Sequence, residues 1–231
     1  MSGSIAEARE RTLKRDLYYR GQKILSYEIS YPGFAGPDFC TAVDRINQYC
    51  RAQALAFQCY CEGTLFQMAA AQYREDAAAG NPAVRFEAVL GYRITLNAEC
   101  ALSLYFDRYE YTGGERGNTE RSSQTWDLQS ACRITLRDLF QSGFLYRIYA
   151  MNRTEDMIEE RLANGIGEYF DDYIQRVEEG FRDENFFLTS RGVALYFQEY
   201  ELAPYSEGLP VFLIPRTDRY VLFPGCRRFL P

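Results

Sequence analysis

The segment from Val84 to Leu96, VRFEAVLGYRITL, alternates with a period of two. Val84, Phe86, Ala88, Leu90, Tyr92, Ile94 and Leu96 share one face, and Arg85, Glu87, Arg93 and Thr95 share the other. That period belongs to a β-strand with one side on a core. The NAE triplet at 97–99 turns the chain, and CALSLYFDRYEY returns as a hairpin partner. A hairpin of this length requires a sheet, and its apolar face requires a cover.

The cover is legible upstream. KILSYEISY, from Lys23 to Tyr31, alternates as a half-buried strand, and PGFAGP breaks it. From Asp38, the expected N-cap, apolar or small residues recur at Phe39, Val43, Ile46, Cys50, Ala54, Phe57, Cys61, Leu65 and Met68. Steps of three and four place them on one helical stripe, with a bend expected near Gly63 and a stop at AGNP, 79–82.

Downstream, SSQTWDL and RITL suggest a short hairpin around Gln129 to Ala131. Helical patterning resumes at Asp138, and a further stripe carries Ile166, Phe170, Tyr173, Ile174, Val177 and Phe181. FFLT and VALYF flank Ser190-Arg191-Gly192 as a hairpin, and VFLIP is a last strand. The fold class is α+β, with helices packed on a mainly antiparallel sheet. Residues 1–15 read as a charged N-terminal arm, frayed or helical. Residues 16–106 read as an N-terminal half and 107–231 as a C-terminal half, the two forming one compact unit.

Charge and composition exclude several functions. The net charge of −6 offers no general attraction to nucleic acid or anionic lipid. The chain has no histidine, which removes Ser-His-Asp and Cys-His catalysis and histidine-bearing metal sites. Lys14 and Lys23 are the only lysines, so Schiff-base chemistry is poorly supplied. No catalytic residue, metal site or cofactor is assigned. Acidic pairs between Glu155 and Glu184 lack EF-hand spacing, alternate with arginines and read as solvated helix faces. Seven cysteines, an odd number, read as mostly buried reduced thiols. No apolar run of signal-peptide or membrane-spanning length occurs, so the expectation from this sequence is a cytoplasmic protein.

The stretch YEYTGGERGNT, from Tyr109 to Thr119, gathers three glycines after a strand. A phosphate cradle needs a helix to follow, whereas the residues that follow here look extended. Gly113, Gly114 and Gly117 are therefore expected to shape a turn through positive φ, as Gly192 is in its own loop. Tyrosine, at 19 residues, both fills sheets and forms contact surfaces. Candidate binding residues are Tyr109, Tyr111, Glu115 and Arg116, with Tyr200, Glu201 and Tyr205 of QEYELAPYSEG. A rim built from these two segments would contact a protein or peptide.

Three ordered motifs carry a resemblance: LSLYFDRYEYTGGERGNT, WDLQSACRITLRDLF and FFLTSRGVALYFQEYELAPYSEGLPVFLIP. They resemble a bacterial domain family of unknown activity. It forms the C-terminal extracellular part of the lysozyme-sensing anti-sigma factor RsiV. It also occurs beside the catalytic domain of a peptidoglycan deacetylase. The upstream strand, helix and hairpin look like the domain that usually precedes it, so the match spans roughly residues 24 to 215. Glu115 and Arg116 stand where the family commonly has alanine and histidine, and Ala131 replaces a glycine. The resemblance implies an α+β fold and a non-enzymatic binding or sensing role. The alternatives are a cell-wall or lysozyme-related sensor, or a carboxylate-based hydrolase.

Overall fold

The computed structural model describes residues 6–226. Their strands form a six-stranded sheet, β1 to β6 in sequence order, and a three-stranded sheet, β7-β8-β9. The fold is α+β and mainly antiparallel, as the patterning implied. The chain divides into two compact units, Ala6–Tyr92 with Phe106–Glu120, and Arg93–Tyr105 with the chain from Arg121 onward. Strands of the larger sheet contribute residues to both units.

In the N-terminal unit, β1 (Glu7–Tyr19) pairs antiparallel with β2 (Gln22–Ala35) around Arg20 and Gly21, both at positive φ. Most of the expected frayed or helical arm is thus a strand, while residues 1–5 lie outside the described residues. Most residues of β1 are exposed and about half are charged, so its sequence carries no hydrophobic alternation. Charge on an edge strand disfavours pairing with another chain. Lys14 meets its cross-strand partner Glu28 at 2.7 Å.

β2 does not break at Pro32. It pairs in parallel with β3 (Phe86–Ala98) through Leu25–Ile29 only, and past Ile29 has β1 as its strand neighbour. A proline is tolerated where one side of a strand has no ladder. On that side the Asn47 carboxamide substitutes for a strand. It accepts from Phe34 N at 2.7 Å and donates to Phe34 O at 2.9 Å.

A parallel pair needs a crossover, and two helices supply it. α1 (Cys40–Tyr60) and α2 (Phe66–Ala79) are joined by a π-helical turn, Cys61–Leu65, where a bend was expected. Asp38 makes no side-chain cap; it lies in a preceding 3-10 turn, Pro37–Phe39. Ala42, Val43, Ile46, Cys50, Ala54, Phe57, Cys61 and Leu65 are buried along one stripe. Burial pushes the Cys50 and Cys61 thiols up to about 12. The π turn carries Glu62, which accepts from Tyr27 Oη at 2.6 Å and Arg15 Nη1 at 2.9 Å. The Tyr27 hydrogen bond, then that of Arg15, holds its carboxyl below the ordinary carboxylate range.

The C-terminal unit contains the end of β3, the start of β4 (Ala101–Tyr111) and most of β5 (Asn118–Asp127). β5 turns through Ala131, at φ +56°, into the short β6 (Cys132–Arg133). Positive φ is the conformation that favours glycine, the residue the resembling family carries there. α3 (Tyr146–Ala163) and α4 (Tyr173–Gly180) follow, then β7 (Phe186–Thr189), β8 (Gly192–Tyr196) and β9 (Val211–Pro215). The stripe beginning at Ile166 is helical only from Tyr173; Ile166 and Ile174 are exposed, while Val177 and Phe181 are buried.

A disulfide, Cys100–Cys226, spans 126 residues of sequence and corrects the expectation of reduced thiols throughout. Outside the disulfide, Cys40, Cys59 and Cys132 are exposed and Cys50 and Cys61 are buried. Spacing could not reveal a pair so distant in sequence.

Candidate functional site

The three-stranded sheet has two unlike faces. Phe186, Leu188, Val193, Leu195, Phe212 and Ile214 belong to the main core of the C-terminal unit. The alternate residues Phe187, Ala194 and Tyr196 form a second cluster, with Tyr105, Val211 and Leu213 packed against it. Register places Phe187 opposite Ala194, and Ala194 opposite Leu213. Two buried serines hold the sheet from one side: Ser123 Oγ donates to Phe186 O, and Leu188 N donates to Ser103 Oγ at 2.9 Å.

That second face floors an open cavity of about 460 Å³. Ligand sites typically measure about 300–1,000 Å³. Arg93 and Thr95 of β3, Tyr105 of β4, Arg161 from the last turn of α3 and Arg191 of the β7–β8 loop complete its lining. Among the described residues, no acidic one lines it. Arg161 is fixed: Nη1 donates to Tyr169 Oη and Nη2 to Val211 O, each at 2.7 Å, and the guanidinium lies 4.7 Å from the centre of the Phe212 ring. Arg121 approaches the Tyr105 ring centre to 3.8 Å.

The two-residue period places Arg93 and Thr95 on the polar face of a strand and carries no further information about them. Nothing in their spacing signals that Arg161 and Arg191, far along the chain, reach the same cavity.

The candidates chosen from the sequence lie elsewhere. Tyr200 is exposed, with its ring centre 5.9 Å from that of Tyr205. Glu201 is used locally, its Oε2 accepting from Gln198 N at 2.7 Å. Gln198 in turn pairs with the Arg121 backbone, accepting from N at 2.9 Å and donating to O at 2.8 Å. These residues belong to the C-terminal unit. Tyr109, Tyr111, Glu115 and Arg116 belong to the N-terminal unit, so each group stands in its own unit.

Glu115 and Arg116 are exposed on the loop that links β4 to β5. Arg116 lines a concavity of about 250 Å³ together with Arg108, Glu110 and Glu120, where both charges are present. Of the three loop glycines only Gly113 has positive φ, +97°. Gly117 is required for another reason: a Cβ there would lie 2.2 Å from Cε2 of the Tyr109 ring. Gly114 meets neither constraint.

Carboxylates in another cavity are engaged in local turns. Asp127 and Asp138 line a cavity of about 390 Å³ beside Cys100. Asp127 Oδ1 accepts from Gln129 N, and Asp138 Oδ2 from Thr135 N, each at 2.8 Å. Asp156 on α3 pairs with Arg153, and Asp172, just before α4, pairs with Arg176. Burial, then the neighbouring Glu178 charge, raises the Glu155 carboxyl. Among the described residues no group of three His, Cys, Asp or Glu side chains could hold a metal ion, and no helix is long and apolar enough to cross a membrane.

Comparison with known proteins supplies the kinship. No curated protein matches the sequence. A DUF3298 family member from Bacteroides fragilis NCTC 9343 (BF2082) is similar in fold, with a TM-score of 0.67 at 16% identity over 96% of each chain. A DUF3298 family protein from Pseudomonas aeruginosa PAO1 (PA4972) gives 0.60 at 18%, covering 97% of this chain and 100% of that one. Residues 20–119 match the family described as Deacetylase PdaC, and residues 137–217 match that described as Protein of unknown function (DUF3298). A DUF3298 match thus follows a PdaC match along the chain, the pairing implied by the three motifs together with the upstream strand, helix and hairpin.

Proposed function

We propose that this protein is a binding module, not a catalyst, and that it holds an extended peptide segment of a partner protein in the cavity on the outer face of β7-β8-β9. The observation that carries this reading is the cavity itself: an apolar and aromatic floor walled by arginines, on strands whose other face is locked into a core. Aromatic and arginine side chains supply most of the binding energy at protein contacts. The absence of histidine and the local use of Asp127 and Asp138 support binding over catalysis.

A display selection of random short peptides against the intact protein tests the reading. Enriched peptides should bind the native protein and lose about tenfold or more in affinity against Leu213→Glu, which sets a charge on the partly buried outer face. Unchanged binding by a folded Leu213→Glu protein would move the site elsewhere.

A second reading is favoured by the Cys100–Cys226 disulfide and by the PdaC-type domain: the protein works in an oxidising, wall-facing compartment as a sensor. Disulfides persist in such compartments and are reduced in the cytosol. Thiol labelling of rapidly quenched cells should find the Cys100–Cys226 pair protected in the envelope fraction. Full labelling of both cysteines in a cytosolic fraction would reject this location.

A further inference from the structure

The charge distribution within the cavity points to the chemistry of its occupant. The chain carries 32 acidic and 26 basic residues, so an arginine side chain has no shortage of carboxylates. Many take one: Arg15 pairs with Glu62, Arg108 with Glu110, Arg147 with Asp183 and Arg216 with Glu99. Arg93 and Arg191 differ. Neither side chain has an ion pair or hydrogen bond among the described residues, and both line the one cavity, with Arg161 as a third positive charge.

These charges stand on fixed backbone. Arg93 lies within β3. The loop carrying Arg191 is tied at three points. Arg191 N donates to Thr189 Oγ1 at 3.2 Å, Thr189 Oγ1 donates to Gly192 O at 3.3 Å, and Arg216 N donates to Arg191 O at 2.7 Å. A cavity lined by one sign of charge over low-dielectric walls concentrates the opposite charge. Guanidinium groups bind carboxylates through paired, charge-assisted hydrogen bonds.

We infer that the cavity selects peptides bearing an acidic side chain, whose carboxylate is held by Arg93 and Arg191 while flanking apolar side chains rest on Val211 and Leu213. This rests on the peptide-binding reading above and specifies its ligand class. The chain as a whole is net negative, so a cavity lined by arginines without carboxylates stands out against it. Specificity then comes from position as well as from charge.

Two display libraries of short peptides provide the test. They share apolar flanks and differ in a fixed central residue, Glu in one and Gln in the other. The Glu library should yield binders, and their central Glu→Gln counterparts should bind the native protein about tenfold or more weakly by calorimetry. In Arg93→Gln and Arg191→Gln proteins the preference for Glu should shrink toward unity, while residual binding of the Gln peptides is retained. Equal affinity of Glu and Gln peptides for the native protein overturns the acidic specificity and leaves the binding module standing. Failure of both libraries to yield any binder overturns both. A Glu preference undiminished in both variants would also reject these arginines as its source.

Discussion

Gly192→Ala is expected to destabilise the C-terminal unit by about 2–6 kcal/mol, the sum of backbone strain and forced overpacking. Gly192 opens β8 at φ +152°, and a Cβ built there would lie 2.1 Å from Ile214 O and 2.7 Å from Arg216 N. Both atoms are backbone of β9 or the residue after it, so no side-chain rotation relieves the clash. The sheet must open at the register pair Gly192↔Pro215. Thermal unfolding followed by circular dichroism measures the loss. The Arg191 loop should loosen with it, because Thr189 Oγ1 bonds to Gly192 O. A variant that melts within a degree of the native protein would mean that β8 and β9 accommodate a methyl group at no cost.

Removing the disulfide by Cys226→Ser should cost about 2–5 kcal/mol. The bridge closes a span of 126 residues that contains the whole DUF3298 match, so it restricts the unfolded chain strongly. It also anchors a turn in which Glu99 and Cys100 both adopt positive φ, at 56° and 60°, without either being glycine. Arg216 clasps the same turn with paired hydrogen bonds to Glu99 at 3.0 and 3.1 Å. For a chain of this size the melting point should fall by about 4–20 °C. Native protein in reductant should melt with the variant. If reduction lowers the native melting point and the oxidised variant still matches the oxidised native protein, the bridge is not the element that reductant breaks.

Periodic local order was readable in advance. The run from Val84 to Leu96 needed only its two-residue period, and the stripe from Val43 to Leu65 only its helical one. FFLT and VALYF announced their hairpin. Elements without an apolar period were missed. β1 is mostly exposed and carries no apolar alternation, and only pairing with β2 makes it a strand. β2 continues through Pro32 because one side has no ladder to interrupt, which depends on where β3 ends its pairing. Ile166 fits a helical stripe by spacing, yet the chain from Ile166 to Asp172 is not helix, since its apolar residues do not all have a surface to meet.

The site was less legible than the fold, for a physical reason. Tyrosines next to glycine and acid stand out along a sequence. Tyr109, however, packs on Gly117, and Glu201 caps its own turn. The arginines of the cavity come from β3, α3 and a hairpin loop, and only tertiary folding gathers them.

Asn47 and Gln198 carry a consequence for the ageing of the protein. A carboxamide presents a donor and an acceptor side by side, as a peptide group does, and each of these two completes a single residue's worth of ladder, on Phe34 and on Arg121. Hydrolysis to the acid removes the donor and sets a carboxylate against a backbone carbonyl. Slow deamidation at either position would therefore bare a strand edge without changing any core residue. A stored sample would begin to self-associate through its backbone while its hydrophobic interior was still intact.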